Sequence, residues 1–436
     1  MATLKAVRGT RDLLPPETEL WNRIETTARQ VFARYNFGEI RTPIFEDTAL
    51  FARSVGEETD IVSKEMYTWE DRARAQSEKT QALTLRPENT AGVVRAYIEH
   101  GLGESGQLQK LYYIGPQFRR ERPQKGRYRQ FWQIGAEVIG PPSSGSESPL
   151  RDAEVLEMLA TLLDELKITG WTLELNSVGS AADRAKYNDV LRTALVDVAP
   201  KMCADCQRRA VTNPLRVLDC KVPEDQPIIE ALPKIGDSLG EDSKTHFAAV
   251  LAALDAAGVP YTLNQRLVRG LDYYTRTTFE FTHGGLGAQN ALLGGGRYDG
   301  LSEAIGGPRA PGIGFAIGLD RLVLTLQAQE LVQGAAPPQV AKVDAYIAPL
   351  GESLNAAALV LARELRRARL RVELGDGGFR LKKSFEAADK IARAIVILGQ
   401  DEVRSGILTV KDFSTGKQTK VPRAELAAYL VRPAGE

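Results

Sequence analysis

The chain has 436 residues, with 56 Lys or Arg balanced by 56 Asp or Glu and a hydrophobic share of 43%. That length suggests two or three domains, each able to bury its own core. Zero net charge means that any polyanion must be met by local basic patches, not by a global field. A run of about eighteen apolar residues, the signal of a membrane-spanning helix, is absent. The opening MATLKAVRGTRDLLPP has no apolar secretory core, and three cysteines is a low, odd count. A cytoplasmic, reduced protein without structural disulfides is therefore expected.

Between Pro16 and Tyr35 apolar residues recur at Leu20, Trp21, Ile24, Ala28, Val31, Phe32 and Tyr35, predicting a helix opened by prolines and closed near Gly38. Residues 37–45 then turn extended. Pro43 is unwelcome in a central strand, so this strand is expected at an edge or an interface, a pattern compatible with a dimer. Residues 84–90, TLRPENT, lead from a strand into a helix stopped by Gly101. Glu88 is placed in the first helical turn, where the dipole favours an acid. It is either a helix-start residue or a carboxylate facing a cleft and gripping an ammonium.

Residues 111–140, LYYIGPQFRRERPQKGRYRQFWQIGAEVIG, read as strand, basic loop, strand. Arg119, Arg120, Arg122, Lys125, Arg127 and Arg129 fall on one hairpin with Glu121 as their acid. Six cations so close repel one another and call for an anionic partner, and Arg suits phosphate and carboxylate. A solvated basic hairpin is the plainer alternative. Against it stand Gln133 and Glu137, polar positions between apolar strand residues that need partners.

A loop at 141–149, a helix at 151–167 and a strand at 171–175 come next. Residues about 178–260 read as a helical insertion holding Cys203, Cys206 and Cys220. Cys203-x-x-Cys206 with Cys220 invites a zinc reading. No second close pair and no His at finger spacing follow, so three reduced thiols and no bound metal are expected. In 266–281, RLVRGLDYYTRTTFEF, alternation around Tyr274 and Thr277 predicts a strand, with Arg269 just before it. The triplet Gly294-Gly295-Gly296, followed by Arg297 and Tyr298, marks either a tight turn, the commoner cause, or a close backbone approach. Residues 311–326 give a Gly-punctuated strand and a helix from Leu319. Arg321 lies in that helix's first turn, where a cation is disfavoured, which suggests a role beyond helix stability. Residues 326–341 read as a linker. Residues 342–436 alternate strand and helix, predicting a small α/β domain with a largely parallel sheet and an excess of basic residues suited to a polyanion.

Together, Arg119, Arg269 and Arg321 could stabilise a polyphosphate and the charge developing on it, while Glu88 holds an amino group and Phe131 stacks on a base. Such parts fit nucleotidyl transfer to an amino acid, with substrate and reaction left open. The motifs narrow this. The helix with FGEIRTPIFE, then FRRERPQKGRYRQFWQ and GIGFAIGLDR, resemble the three motifs of class II aminoacyl-tRNA synthetases. LVRGLDYYTRTTFE, LLGGGRYDGL, LRPENT and RSVGEETDIVSKEMYTW (53–69) resemble signatures of the histidyl-tRNA synthetase family.

The resemblance implies an α+β protein: a class II antiparallel sheet flanked by helices over residues 1–325, with the insertion, a linker at 326–341 and an anticodon-binding α/β domain at 342–436. It implies ATP-dependent activation of L-histidine to histidyl-adenylate and transfer to tRNA(His), in a cytoplasmic homodimer, with Mg²⁺ on the outer phosphates. It gives Glu88 the α-amino group of histidine, Thr90 a neighbouring contact, Gln133 a place near the carboxylate, Glu137 the imidazole or its surroundings, and Tyr274 and Tyr298 the imidazole nitrogens. To ATP it gives Arg119 (also the histidine carboxylate), Glu121, Arg127, Phe131 and Arg321. Arg269 becomes the catalytic cation near the α-phosphate, beside Arg119. Arg120, Arg122, Gln124, Lys125 and Arg129 are left for tRNA or solvent. Asn89 and Trp132 depart from the family pattern, which has Gly and His there. The alternative is a non-catalytic, synthetase-like regulatory subunit of histidine biosynthesis. Such proteins commonly lack the C-terminal domain and parts of these signatures, all present here.

Overall fold

The structure, a computed structural model, describes residues 3–56, 59, 61–71, 80–124, 126–286, 290–332 and 342–431. Lys125, the linker positions 333–341, and residues 57, 58 and 60 of the 53–69 motif lie outside the described residues. The chain divides into two compact units, Met1–Pro338 and Gln339–Glu436.

In chain order the first unit contains α1 (Glu17–Arg34), β1 (Gly38–Glu39), β2 (Phe45–Asp47), α2 (Thr48–Val55), β3 (Tyr67–Asp71), β4 (Gln81–Leu85), α3 (Thr90–Glu99), β5 (Gln109–Phe118), β6 (Gln130–Ile139), α4 (Pro149–Glu165), β7 (Trp171–Ser177), α5 (Ala181–Leu195), α6 (Ala204–Thr212), α7 (Gln226–Glu230), α8 (Glu241–Ala257), β8 (Thr262–Leu263), β9 (Thr275–His283), β10 (Ala291–Arg297), α9 (Leu301–Ala304), β11 (Gly312–Gly318) and α10 (Leu319–Val332). The main sheet runs β1-β5-β6-β11-β10-β9-β7-β8. Its interior pairings are antiparallel, and the two-residue strands β1 and β8 add parallel to the edges. A small sheet, β2-β4-β3, lies beside it.

Strand alternation divides the main sheet into two faces. On β6, Trp132, Ile134, Ala136 and Val138 enter the apolar core, while on β11 Ile313, Phe315 and Ile317 do the same. Helices α1, α4, α8 and α10 cover that face. The stripe Leu20, Trp21, Ile24, Ala28, Val31 and Phe32 of α1 is buried there as predicted. Phe32 lies 4.9 Å from Tyr112 and 6.2 Å from Phe315 between ring centroids. Burying each such side chain is worth roughly 1.5–3 kcal/mol. The stop of α1 comes earlier than Gly38: Asn36 takes φ +61°, a left-handed turn that Asn tolerates. Trp132 packs edge-on against Trp21 at 6.5 Å, on the core side.

Several boundaries differ from the expectation. The extended stretch at 37–45 is two short strands, with Pro43 between them. The glycine triplet is no turn but the middle of β10, a central strand. Helix α10 continues to Val332, past the expected start of the linker at 326. The insertion has its own core, from Val178 through Tyr187, Cys206 and Ile235, whereas Val250 and Leu254 of α8 belong to the main core.

The second unit contains β12 (Val343–Pro349), α11 (Asn355–Arg367), β13 (Val372–Leu374), α12 (Leu381–Ile391), β14 (Ala392–Leu398), α13 (Gln400–Ser405), β15 (Ile407–Asp412), β16 (Gln418–Pro422) and α14 (Leu426–Val431). Its sheet runs β13-β12-β14-β15-β16. The first three strands are parallel, and β15 and β16 form an antiparallel hairpin. Its core, from Ala345 through Val396 to Leu430, is separate from that of the first unit.

Candidate active site

The polar face of the main sheet carries two cavities, of about 260 and 150 Å³. On β6 the residues alternate with those of the core, so Phe131, Gln133 and Glu137 point the other way. The larger cavity is lined by Arg119, Glu121, Arg127, Phe131, Arg269 and Arg321, among others. The smaller is lined by Glu88, Thr90, Tyr113, Tyr273, Tyr274 and Tyr298, among others. Arg119, Gln133, Arg269 and Gly294 line both, and so mark their junction.

The larger cavity is strongly cationic. Arg119 donates from Nε to the Pro87 carbonyl at 2.8 Å, and its guanidinium lies 5.2 Å from the Phe131 ring centre. Arg127 reaches Glu121 at 3.2 Å. Arg321 donates to the Ala291 carbonyl. Burial, with Arg127 and Arg269 nearby, holds Arg321 below its usual value despite Glu280 and Glu121. Arg269 is paired with Glu280 of β9. Four guanidiniums facing one cavity favour a polyphosphate.

The smaller cavity sets one carboxylate, Glu88, against Arg119 and Arg269. Glu88 precedes α3 and does not lie within its first turn. Its carboxylate accepts the N–H groups of Thr90 at 2.7 Å and Ala91 at 3.1 Å, so it also caps the helix start. Burial pushes its carboxyl above the usual range, against those two hydrogen bonds and Arg119. Glu137 does not line either cavity. It sits behind the wall, fully buried, accepting from Thr90 Oγ1 at 2.8 Å. Burial lifts its carboxyl to about 8, opposed by hydrogen bonding from Thr90. Glu137 Oε2, Gln133 Oε1 and the hydroxyls of Tyr113 and Tyr298 are buried without a hydrogen-bond partner among the described residues. Burial also raises Tyr113, Tyr273, Tyr274 and Tyr298, keeping their hydroxyls neutral.

The glycines are explained by this crowding. A Cβ on Gly294 would stand 2.5 Å from Arg269 Nη2, and one on Gly314 would stand 1.7 Å from Glu137 Oε2. Sequence reasoning missed four contributors. Tyr113, Tyr273 and Glu280 line the cavities. Arg86 is buried and ties the β4–α3 loop to Thr42 and to the Pro116 carbonyl at 3.0 Å each. Strand parity was the available signal for Tyr113, because its neighbour Tyr112 belongs to the core. Arg86 had no signal beyond its place in LRPENT. In the basic loop, the Arg120 amide donates to the Glu65 carbonyl at 2.7 Å and that of Arg129 to Gly9 at 2.7 Å. At Asn89, the side chain accepts from Thr42 Oγ1 at 2.7 Å.

Residues 9–322 match the family model described as histidyl-tRNA synthetase, and residues 344–432 match that of the anticodon binding domain. The chain is similar to the histidine–tRNA ligase of Koribacter versatilis, at 74% identity over 98% of this chain and 96% of the relative. It is 56% identical to that of Solibacter usitatus, over 98% and 99% of the two chains. Among solved structures, the apo histidyl-tRNA synthetase of S. aureus superposes with a TM-score of 0.79 at 36% identity, covering 99% of this chain and 100% of the other.

Proposed function

The chain belongs to the histidyl-tRNA synthetase family, and from that premise we propose how its cleft carries out the ATP-dependent attachment of histidine to tRNA. The fold is that of a class II synthetase with a C-terminal anticodon-binding domain. The histidine carboxylate attacks the α-phosphate of ATP in line, giving histidyl-adenylate and releasing pyrophosphate. The terminal ribose hydroxyl of the tRNA then attacks the acyl carbon, and AMP leaves. No nucleophilic side chain is needed, since positioning and charge stabilisation suffice.

In this reading the smaller cavity takes histidine and the larger one ATP. The observation that carries it is their junction: Arg119, Gln133 and Arg269 line both, where a carboxylate and an α-phosphate have to meet. Arg119 and Arg269 neutralise the charge that builds up there. Glu88 and Thr90 receive the α-amino group, and Gln133 lies beside the carboxylate. Tyr274 and Tyr298 read the imidazole nitrogens, with Glu137 behind them as a hydrogen-bonding support. The orphaned polar atoms of Tyr113, Tyr298 and Gln133, all of them in the lining of the smaller cavity, support this, because a ligand lacking matching groups leaves them unpaired at a cost. Phe131 and Arg321 hold adenine between them, Glu121 accepts from its amino group, and Arg127 meets the outer phosphates. ATP enters with Mg²⁺ on those phosphates. Glu280 is a further carboxylate within that cavity and would suit a cation held mainly by the substrate itself.

A homodimer is part of the proposal. Ile44, Phe45 and Trp69 are exposed beside Pro43, with the rings of Phe45 and Trp69 6.1 Å apart. Such an apolar patch suits an interface, and light scattering on the purified chain tests it. The regulatory-subunit alternative is set aside, because Glu88, Arg119 and Arg269 all face the cleft. No helix among the described residues is long and apolar enough to cross a membrane. A cytoplasmic location remains part of the proposal. The deciding experiment is pyrophosphate exchange with ATP, Mg²⁺ and each proteinogenic amino acid in turn. Exchange is expected with histidine alone, and its absence would sink the reading.

A further inference from the structure

The three cysteines stand apart from the cleft, inside the helical insertion. Cys203 caps the start of α6 and Cys206 lies in its first turn, so the C-x-x-C pair presents both sulfurs from one helix end. Cys220 follows a 3-10 turn at Pro214–Asp219, and Asp225 closes another at Pro223–Asp225. The three sulfurs and a carboxylate oxygen lie within 4.8 Å of one another. Cys206, Cys220 and Asp225 are 0%, 5% and 2% exposed.

We propose that Cys203, Cys206, Cys220 and Asp225 bind one structural Zn²⁺ that staples the insertion. Four donors, three of them soft, make a closed set of the kind that selects zinc. The spacing fits. Zn–S bonds of about 2.3 Å at tetrahedral angles put sulfurs about 3.8 Å apart. Cys203 Sγ and Cys220 Sγ are 3.9 Å apart, and Cys220 Sγ lies 3.2 Å from Asp225 Oδ2. A disulfide needs a sulfur separation of about 2.05 Å, so none is formed here.

The surroundings are arranged for such an ion. Asp225 is oriented by the Cys203 N–H, at 3.1 and 3.2 Å from its two oxygens, and the Val222 N–H points at Cys220 Sγ at 3.4 Å. Gln226 Nε2 donates to the carbonyls of Cys220 and Val222, both at 2.9 Å, and so holds the loop between the ligands. These are the outer contacts that fix a metal's ligands. Asp225 is a buried carboxylate that accepts from N–H and thiol groups, and a cation among them would offset its burial. As zinc enters, the thiols release their protons to solvent. The insertion's core is small, and small cores are the ones that gain most from a metal staple.

Full-length protein purified from zinc-containing medium without chelator is expected to carry about one zinc per chain, measured by inductively coupled plasma mass spectrometry. Cys206→Ser and Asp225→Asn should each lose most of it. A readout independent of variant folding is wild-type protein stripped by chelator and reloaded with Co²⁺. It should show thiolate-to-cobalt charge-transfer absorption and the visible bands of a tetrahedral ion, and zinc but not magnesium should restore the thermal midpoint lowered by stripping. A folded, zinc-free wild type with no cobalt–thiolate band overturns the proposal. So do a Cys203–Cys220 disulfide in the native protein, and three thiols that react equally fast with and without zinc.

Discussion

Arg269 is the residue on which the proposed chemistry most depends. It is held by Glu280 and lies over Gly294, whose missing side chain leaves the guanidinium its space. Arg269→Ala should lower histidine-dependent pyrophosphate exchange by roughly 10²–10³, the loss typical of removing one charge-stabilising donor. The circular dichroism spectrum should be unchanged; near-normal exchange would remove the assigned role. Glu137 makes a prediction about pH. Its carboxyl ionises near 8 in the folded chain and near ~4.3 when unfolded. Between those values the native state holds the extra proton. Stability from this group is therefore full in acid and is lost as pH rises to about 8, by about 1.4 kcal/mol per pH unit at most. Glu137→Gln should flatten that slope in urea denaturation, and equal slopes in the two proteins would show that Glu137 ionises normally. At this scale much of the site was legible. Gln133 and Glu137 stood out as polar residues on an apolar strand. Arg86 did not, because its role comes from partners 30 or more residues away, and Tyr113 showed itself only through its parity with the core residue Tyr112.

Among the elements, β10 shows where sequence reasoning stopped. Three consecutive glycines suggested a turn, since that is where φ freedom is most often used. Here they are needed because Arg269, Tyr274 and the β11 backbone crowd a central strand from both faces. No local pattern reports such contacts. The same strand ends in Arg297, fully buried, which donates to Asp152 of α4 at 2.8 Å and to Asp299 at 2.6 Å. Burial lifts Asp152 to about 6 even with Arg297 opposing the rise. Arg297→Met leaves that carboxylate without its cation and should cost about 3–5 kcal/mol in chemical denaturation. Arg297→Met with Asp152→Leu should recover most of the loss, because a buried ion pair replaced by apolar groups is close to neutral. If the double variant is no more stable than the single one, the pair is not the cause. The insertion also reaches the site at this level. Val268, next to Arg269, packs in the insertion's core, and Asn213 donates to Asp272 at 3.1 Å. Asp225 was invisible beforehand, because a lone acid after a cysteine pair matches no ligand spacing until the turns are folded.

For the molecule as a whole, the alternation of strands and helices after residue 342 foretold the elements of the second unit well. What the pattern could not supply was the mixed sheet, since parallel and antiparallel neighbours carry similar apolar runs. The two units have separate cores, and both cavities are lined by residues of the first alone. Activation and charging should therefore be separable. A chain ending at residue 341 keeps every residue proposed to touch histidine or ATP, so its histidine-dependent pyrophosphate exchange should stay within about tenfold of the full chain. Charging of tRNA should fall much further, because the deleted unit matches an anticodon-binding domain and carries a basic excess whose contacts with phosphate strengthen binding. The ratio of the two losses is the measurement. Raising the salt concentration should narrow it, by weakening tRNA binding to the full chain while leaving exchange in both proteins little changed. Equal losses in exchange and charging would mean that the second unit is needed to form the cleft itself, and that the division of labour is wrong.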